Sequence, residues 1–297
     1  MLTFQESYQK AQTISGDDSS DTLIYLKSDI NTGAHRFNAA LNRYFTRRSK
    51  TTNIVADQQY YQLPPDCIRP IGLVYNESST QRIPLIQVKS EEEWRYLNTN
   101  NQTGGYVSHY FVRGNDEVGL YPTPSAAVSD GLELYYEVRD KDLSFDDYST
   151  GTLTLTQGST SVTGASTVFT EAMVGRALKV TDGTDGFWYK VGGFASSTAI
   201  TLEEPFIGIS GGSKTYKIGE TFVFPDEYHD APVDYALSRY FEMKNNPDRA
   251  TYHLARYNDA LSDAKGRYAN SSSSMVITEA VRGYNPFLIP PEPITGV

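Results

Sequence analysis

The chain has 297 residues, enough for two compact domains, since single cores stop growing near 250–300 residues and most domains are roughly 100–150. A formal net charge of -10 excludes wrapping of nucleic acid by phosphate neutralisation, which needs a basic footprint, while it suits either a solvated acidic surface or a wall that DNA slides past. The lone Cys67 excludes an intrachain disulfide and a thiolate metal cage, no apolar run approaches the ~20 residues of a membrane span, and MLTFQESYQKAQ lacks the apolar centre of a signal peptide, so a protein made and assembled in a cytoplasm is expected.

Residues 19–48 carry Leu23, Leu26, Ile30, Ala34, Phe37, Leu41 and Tyr44 at intervals of three or four, one face of a helix. Ser19, Ser20 and Asp21 are its N-cap candidates. Arg43, Arg47, Arg48 and Lys50 gather at its predicted C-terminal end, where cations oppose the helix dipole; contact with a carboxylate-bearing neighbour, or with DNA, is the alternative. Short strands follow at 59–64, 68–75, 82–88, 107–114, 117–122 and 132–138, separated by turn formers such as Asn76, Gly104, Gly114 and Gly131. Ser90 with Glu93 at capping-box spacing places a short helix among them.

Residues 150–220 change character, with 13 Thr and 12 of the chain's 23 Gly and no His. Apolar and polar residues alternate there between Gly, Ser and Asp turns, which predicts a small all-β module. Its expected core is Trp188, Phe169, Leu178, Val180, Val191, Ile200 and Leu202. Helix returns from Asp226 to about Lys244 and again from Pro247 to about Tyr268, with Asn246 as N-cap and Pro247 at the first helical position. Ala250, Leu254, Tyr257, Leu261, Ala264 and Tyr268 form a narrow seam for a partner helix, the simplest being the long N-terminal one. Beyond, residues 271–297 open on four serines and continue with apolar residues among prolines. They read as an extended arm that packs on another subunit, or that folds back on its own domain.

No constellation for catalysis stands out. His35, His109, His229 and His253 lie on different predicted elements with no ligand-spaced neighbour, and no nucleophile elbow, phosphate loop or dinucleotide fingerprint is present. Asp182 and Asp185 in TDGTDG lack the spacing of a calcium loop and suit a tight hairpin. Glu203 and Glu204 point to opposite faces of a strand, and Asp226, Glu227 and Asp230 sit where a helix start favours acids. No enzyme, cofactor or metal is expected.

Three pieces together resemble the head-to-tail adaptor, or tail tubular protein A-like, family of tailed bacteriophages: YYQLPPDCIRPIGLVYN at 60–76, DEVGLYPTPS at 116–125 followed by LELYYEV at 132–138, and FVFPDEYHDAPVDYALSRYF at 222–241. The resemblance implies an α+β fold: a helical bundle from the two chain ends and an antiparallel β-rich body, 1–149 with 221–270, interrupted by an inserted all-β sandwich or barrel at 150–220. It further implies a structural virion protein at the head–tail interface, a homo-oligomeric ring of twelve copies that joins the portal to a tail or nozzle protein and passes DNA during ejection without reading its sequence. The arm at 271–297 would dock on the portal through Tyr284, Asn285, Pro286, Phe287, Leu288 and Ile289. The competing expectation is a phage adhesion or carbohydrate-binding protein using exposed aromatics of the β module.

Overall fold

The computed structural model describes residues 1–78, 81–99, 104, 106–114, 116–182 and 185–268. The fold is α+β, with helices from both chain ends in one bundle beside β structure. Helix α1 (Phe4–Ser15) lies outside the elements that the sequence pattern predicts, because its mean hydropathy is low, yet its start is written in the sequence: Thr3 and Glu6 form a capping box, and Phe4, Tyr8 and Ala11 turn one buried face inward. Helix α2 (Ser20–Ala40) begins, as expected, on Ser19, whose hydroxyl accepts from the Thr22 N–H. It stops earlier than its periodicity predicts. Asn42 and Arg43 both adopt left-handed backbone, and the chain leaves the helix axis as a strand.

Helix α4 (Ala231–Met243) is the centre of the bundle and packs on α1, α2 and α5 (Pro247–Tyr268). The seam of α5 therefore meets chiefly α4, a correction to the expected pairing with α2. The correction extends to Leu254: Tyr257 and Ala264 are buried, whereas Leu254 is exposed and His253 takes its inward place. Where α2 crosses α4, the helices approach so closely that a Cβ on Gly33 would stand 2.9 Å from the Tyr235 Cβ. Phe37 is fully buried among Phe224, Tyr228 and Tyr257, with ring centroids 4.8, 5.6 and 6.2 Å away. It thereby joins α2 to α5 and to the segment that enters α4.

The β body has two four-stranded sheets. One runs β1 (Arg47–Ile54), β8 (Val128–Val138), β3 (Cys67–Asn76), β4 (Arg82–Pro84); the other runs β2 (Tyr60–Gln62), β7 (Glu117–Tyr121), β6 (His109–Arg113), β5 (Ile86–Val88). Pairing is antiparallel except between β5 and β6. The single stretch foreseen at 82–88 divides at Leu85 and gives one strand to each sheet. A shared core of Leu73, Tyr110, Leu120, Leu132, Leu134 and Tyr136 holds the sheets together. Helix α3 (Glu91–Thr99) caps the second sheet, with Trp94 stacked on Phe111 at 5.4 Å.

Residues 152–219 supply β9 (Thr152–Leu155), β10 (Ser161–Ala165), β11 (Ala177–Val180), β12 (Trp188–Ser196), β13 (Ala199–Leu202), β14 (Gly211–Lys214) and β15 (Tyr216–Gly219), in the order β14-β9-β10-β13-β12-β11-β15. The two outermost strands are one stretch of chain, parted only by Thr215, with β14 on β9 and β15 on β11. The sheet thus closes into a small barrel, which removes its free edges. Phe169, Leu178, Val180, Val191, Ile200 and Leu202 fill its interior with Phe206 and Ile218. Trp188 is not among them: alternation along β12 turns Tyr189 and Val191 inward and sends Trp188 outward.

Candidate interaction surfaces

Most of the acidic and imidazole groups named in the sequence are engaged in separate structural contacts. Asp182 pairs with Lys214 at 3.0 Å, Glu203 with Lys190 at 2.7 Å, Asp226 with the N-terminal ammonium at 3.3 Å, and Asp230 with Lys10 at 2.7 Å. His253 lies 2.8 Å from Asp234 inside the bundle, with Arg256 on the other carboxylate oxygen. His229 is buried; its Nδ1 accepts from the Leu2 N–H at 3.1 Å and its Nε2 faces the Phe224 carbonyl at 3.0 Å. Burial holds its pKa below the ordinary histidine value. Among the described residues no group of three or more His, Cys, Asp or Glu is placed to hold a metal ion.

The basic residues foreseen at a helix end are instead spread over a turn and an edge strand. Arg43 sits in the left-handed turn and donates to Asp140 at 2.7 Å, while Asn38 donates to the other Asp140 oxygen at 2.7 Å. Arg47, Arg48 and Lys50 lie on β1, whose first seven residues are exposed on both faces. The alternation of the strand separates them. Arg47 stands across from Glu137, on the face where Arg69 reaches Glu137 at 2.6 Å; Arg48 and Lys50 stand across from Tyr136 and Leu134, on the face of the body core. Edge-strand cations of this kind discourage indiscriminate strand pairing and leave a directional surface. The polar run RRSKTTN concealed the strand, since β1 contributes only Ile54 to a core.

The first residues of the chain clamp the barrel to the bundle. Phe4 donates its N–H to the Glu220 carbonyl at 2.8 Å, and the Thr3 hydroxyl donates to Asp147 at 3.0 Å. Lys217 on β15 pairs with Glu6 of α1. Tyr8 donates to Asp146 at 2.6 Å, and burial together with that carboxylate pushes the phenol pKa far up. Trp188 lies in the same region, flanked by the ammonium groups of Lys179 and Lys217 at 5.5 and 5.7 Å from its ring.

Between α2, the start of β1 and the barrel lies a cleft of about 270 Å³, lined by His35, Asn38, Arg48, Lys141, Arg176 and Glu220 among others. Glu220 is buried and accepts from the Ser144 and Phe145 N–H groups at 2.7 and 3.0 Å and from Lys141 at 3.4 Å. Arg176 is also buried, its guanidinium 4.1 Å from the Phe145 ring centroid. Apolar side chains are exposed elsewhere, notably Ile24 and Tyr25 on α2 and Phe187, Ile207 and Ile209 on the barrel. Tyr284, Asn285, Pro286, Phe287, Leu288 and Ile289, the expected portal contacts, lie outside the described residues. No described helix is long and apolar enough to cross a membrane.

A family model described as SU10 adaptor protein matches residues 2–179. The match takes in the bundle's first two helices and the whole two-sheet body, and runs through β9 and β10 into β11. Two of the three motif groups that carry the sequence resemblance fall inside it; the third, at 222–241, forms the entry to α4 and most of that helix. No curated protein matches the chain.

Proposed function

The chain belongs to the SU10 adaptor protein family, a structural component of the bacteriophage virion, and on that premise we propose that it is the head-to-tail adaptor, twelve copies of which close as a ring between the portal and a tail or nozzle protein. The family match carries this reading. A closed ring needs two different surfaces on every copy, and the exposed β1 strand, the apolar pair on α2 and the apolar barrel loops offer such surfaces on separate parts of the molecule. Net acidity suits a channel that DNA traverses without adhering. The barrel is a module set between β8 and α4: its entry and exit lie side by side, bridged at Tyr148 and Ile218, the arrangement by which an inserted unit leaves its host fold intact. The segment 271–297 docks on the portal, with Tyr284, Phe287, Leu288 and Ile289 as apolar anchors.

An adhesion role would use the aromatics Phe187 and Phe194, which are exposed on the barrel, while the Trp188 ring is flanked by lysines, one of them tied to α1. Native mass spectrometry of the full chain mixed with its cognate portal tests the proposal against a variant ending at Asn270. A twelve-to-portal-ring complex formed by the full chain and lost in the variant supports it. Absence of any complex with the portal refutes it.

A further inference from the structure

The cleft between bundle, body and barrel holds a buried guanidinium that feels the Glu220 carboxylate through space but makes no ion pair or hydrogen bond with it. Arg176 is only 7% exposed, and its Nε has no hydrogen-bond partner among the described residues. No carboxylate among the described residues lies within ion-pair reach of it. Glu220 lines the same cleft, but its oxygens are taken by two backbone amides and Lys141. Asp140 is likewise occupied, by Arg43 and Asn38. Arg48 lines the cleft from β1 and also makes no ion pair among the described residues. One further atom there lacks a hydrogen bond, Asn38 Oδ1, whose residue is 1% exposed, while His35 Nε2 lies 3.3 Å from the Asp142 carboxylate.

Burying a guanidinium without a directly paired carboxylate is costly, and a buried polar atom left without a hydrogen bond adds to that cost. The Phe145 ring offsets a part of it through cation–π attraction. The space is large enough for one oxyanion with its water. Guanidinium groups are the side chains best shaped to hold such a group, by paired N–H donors directed at two oxygens.

We propose that this cleft is an oxyanion site in which Arg176 and Arg48 hold one phosphate- or carboxylate-type group. Bound there, the anion bridges the barrel to α2 and β1 and stiffens the joint between them. The group is either a free small anion or a carboxylate presented by a second copy of the chain. The inference stands on the cleft's own chemistry, and only the second of these sources rests on the proposed ring.

Thermal unfolding of the full chain in inorganic phosphate, and separately in acetate, each at ionic strength matched with sodium chloride, tests it. At ten times Kd a bound anion raises the folded-to-unfolded ratio about tenfold, a midpoint rise of about 2–3 °C for a chain of this size. Arg176→Gln abolishes the rise, Arg176→Lys keeps part of it, and the exposed-strand variant Arg48→Gln reduces it without disturbing a core. No rise above the chloride control with either anion overturns the proposal, as does a rise of undiminished size in both Arg176→Gln and Arg48→Gln. The source is read by repeating portal-dependent assembly in phosphate. A free-anion site leaves assembly unchanged or improved, and a site for a neighbour's carboxylate makes phosphate a competitor that suppresses it.

Discussion

Phe37→Ala removes the side chain that joins α2, the 222–228 segment and α5. Phe37 is fully buried and meets three aromatic rings within 6.2 Å, so its truncation loses both transfer free energy and packing around a cavity, about 3–5 kcal/mol. With a urea dependence of about 2–3 kcal/mol/M, the midpoint of the affected unit falls by roughly 1–2 M. The placement of the two tryptophans allows the units to be followed separately. Trp94 sits on the β body and Trp188 on the barrel, while most of the helix is in the bundle. In a Trp94→Phe background, dichroism at 222 nm follows the bundle and fluorescence follows the barrel. The barrel is closed around its own core and should lose little, whereas the helical signal shifts by the full amount. Equal shifts in both signals would show that bundle and barrel unfold as one unit. A helical shift below about 0.3 M would refute the assignment of Phe37 as the joint of the bundle.

Gly33→Val is expected to destabilise by about 1–3 kcal/mol, since a Cβ there meets the Tyr235 Cβ at 2.9 Å and neither helix backbone can retreat without opening the crossing; urea unfolding at 222 nm measures it. His229 supplies a pH dependence. Its folded pKa lies below its unfolded value near 6.5, so the folded state binds fewer protons and stability is complete above that value. Stability declines as pH falls from about 7 through the depressed folded pKa, and His229→Asn flattens this slope between pH 7.5 and 5.5 in urea titrations. An unchanged slope in the variant would assign the acid sensitivity to other groups.

Much of this architecture is written locally. The α5 boundaries follow from Asn246, Pro247 and a sustained helical period, and the body strands follow from short apolar runs between turn formers. What the sequence conceals has physical causes. Helix α1 is amphipathic but polar on average, and β1 is polar because an edge strand gives few side chains to a core. The periodicity of α2 continues through Leu41 and Tyr44, although two left-handed residues end the helix between them. Hydrophobicity alone favours Trp188 in the barrel core, yet Val191, three residues on, must face the opposite side of the same strand. The helical period predicts Arg48 at a helix end, whereas it lies on the edge strand β1. Arg176 carries no local signal, because its burial arises when the barrel meets Phe145, which lies before the barrel in the chain.

The adaptor assignment is tested most directly by a cryo-electron microscopy map of the chain bound to its cognate portal. The account predicts a ring of twelve copies beneath the portal, with neighbours in contact side to side and Tyr284, Phe287, Leu288 and Ile289 seated in apolar pockets of the portal. A map in which the portal end is bare, or in which single copies decorate the particle without closing a ring, would contradict it.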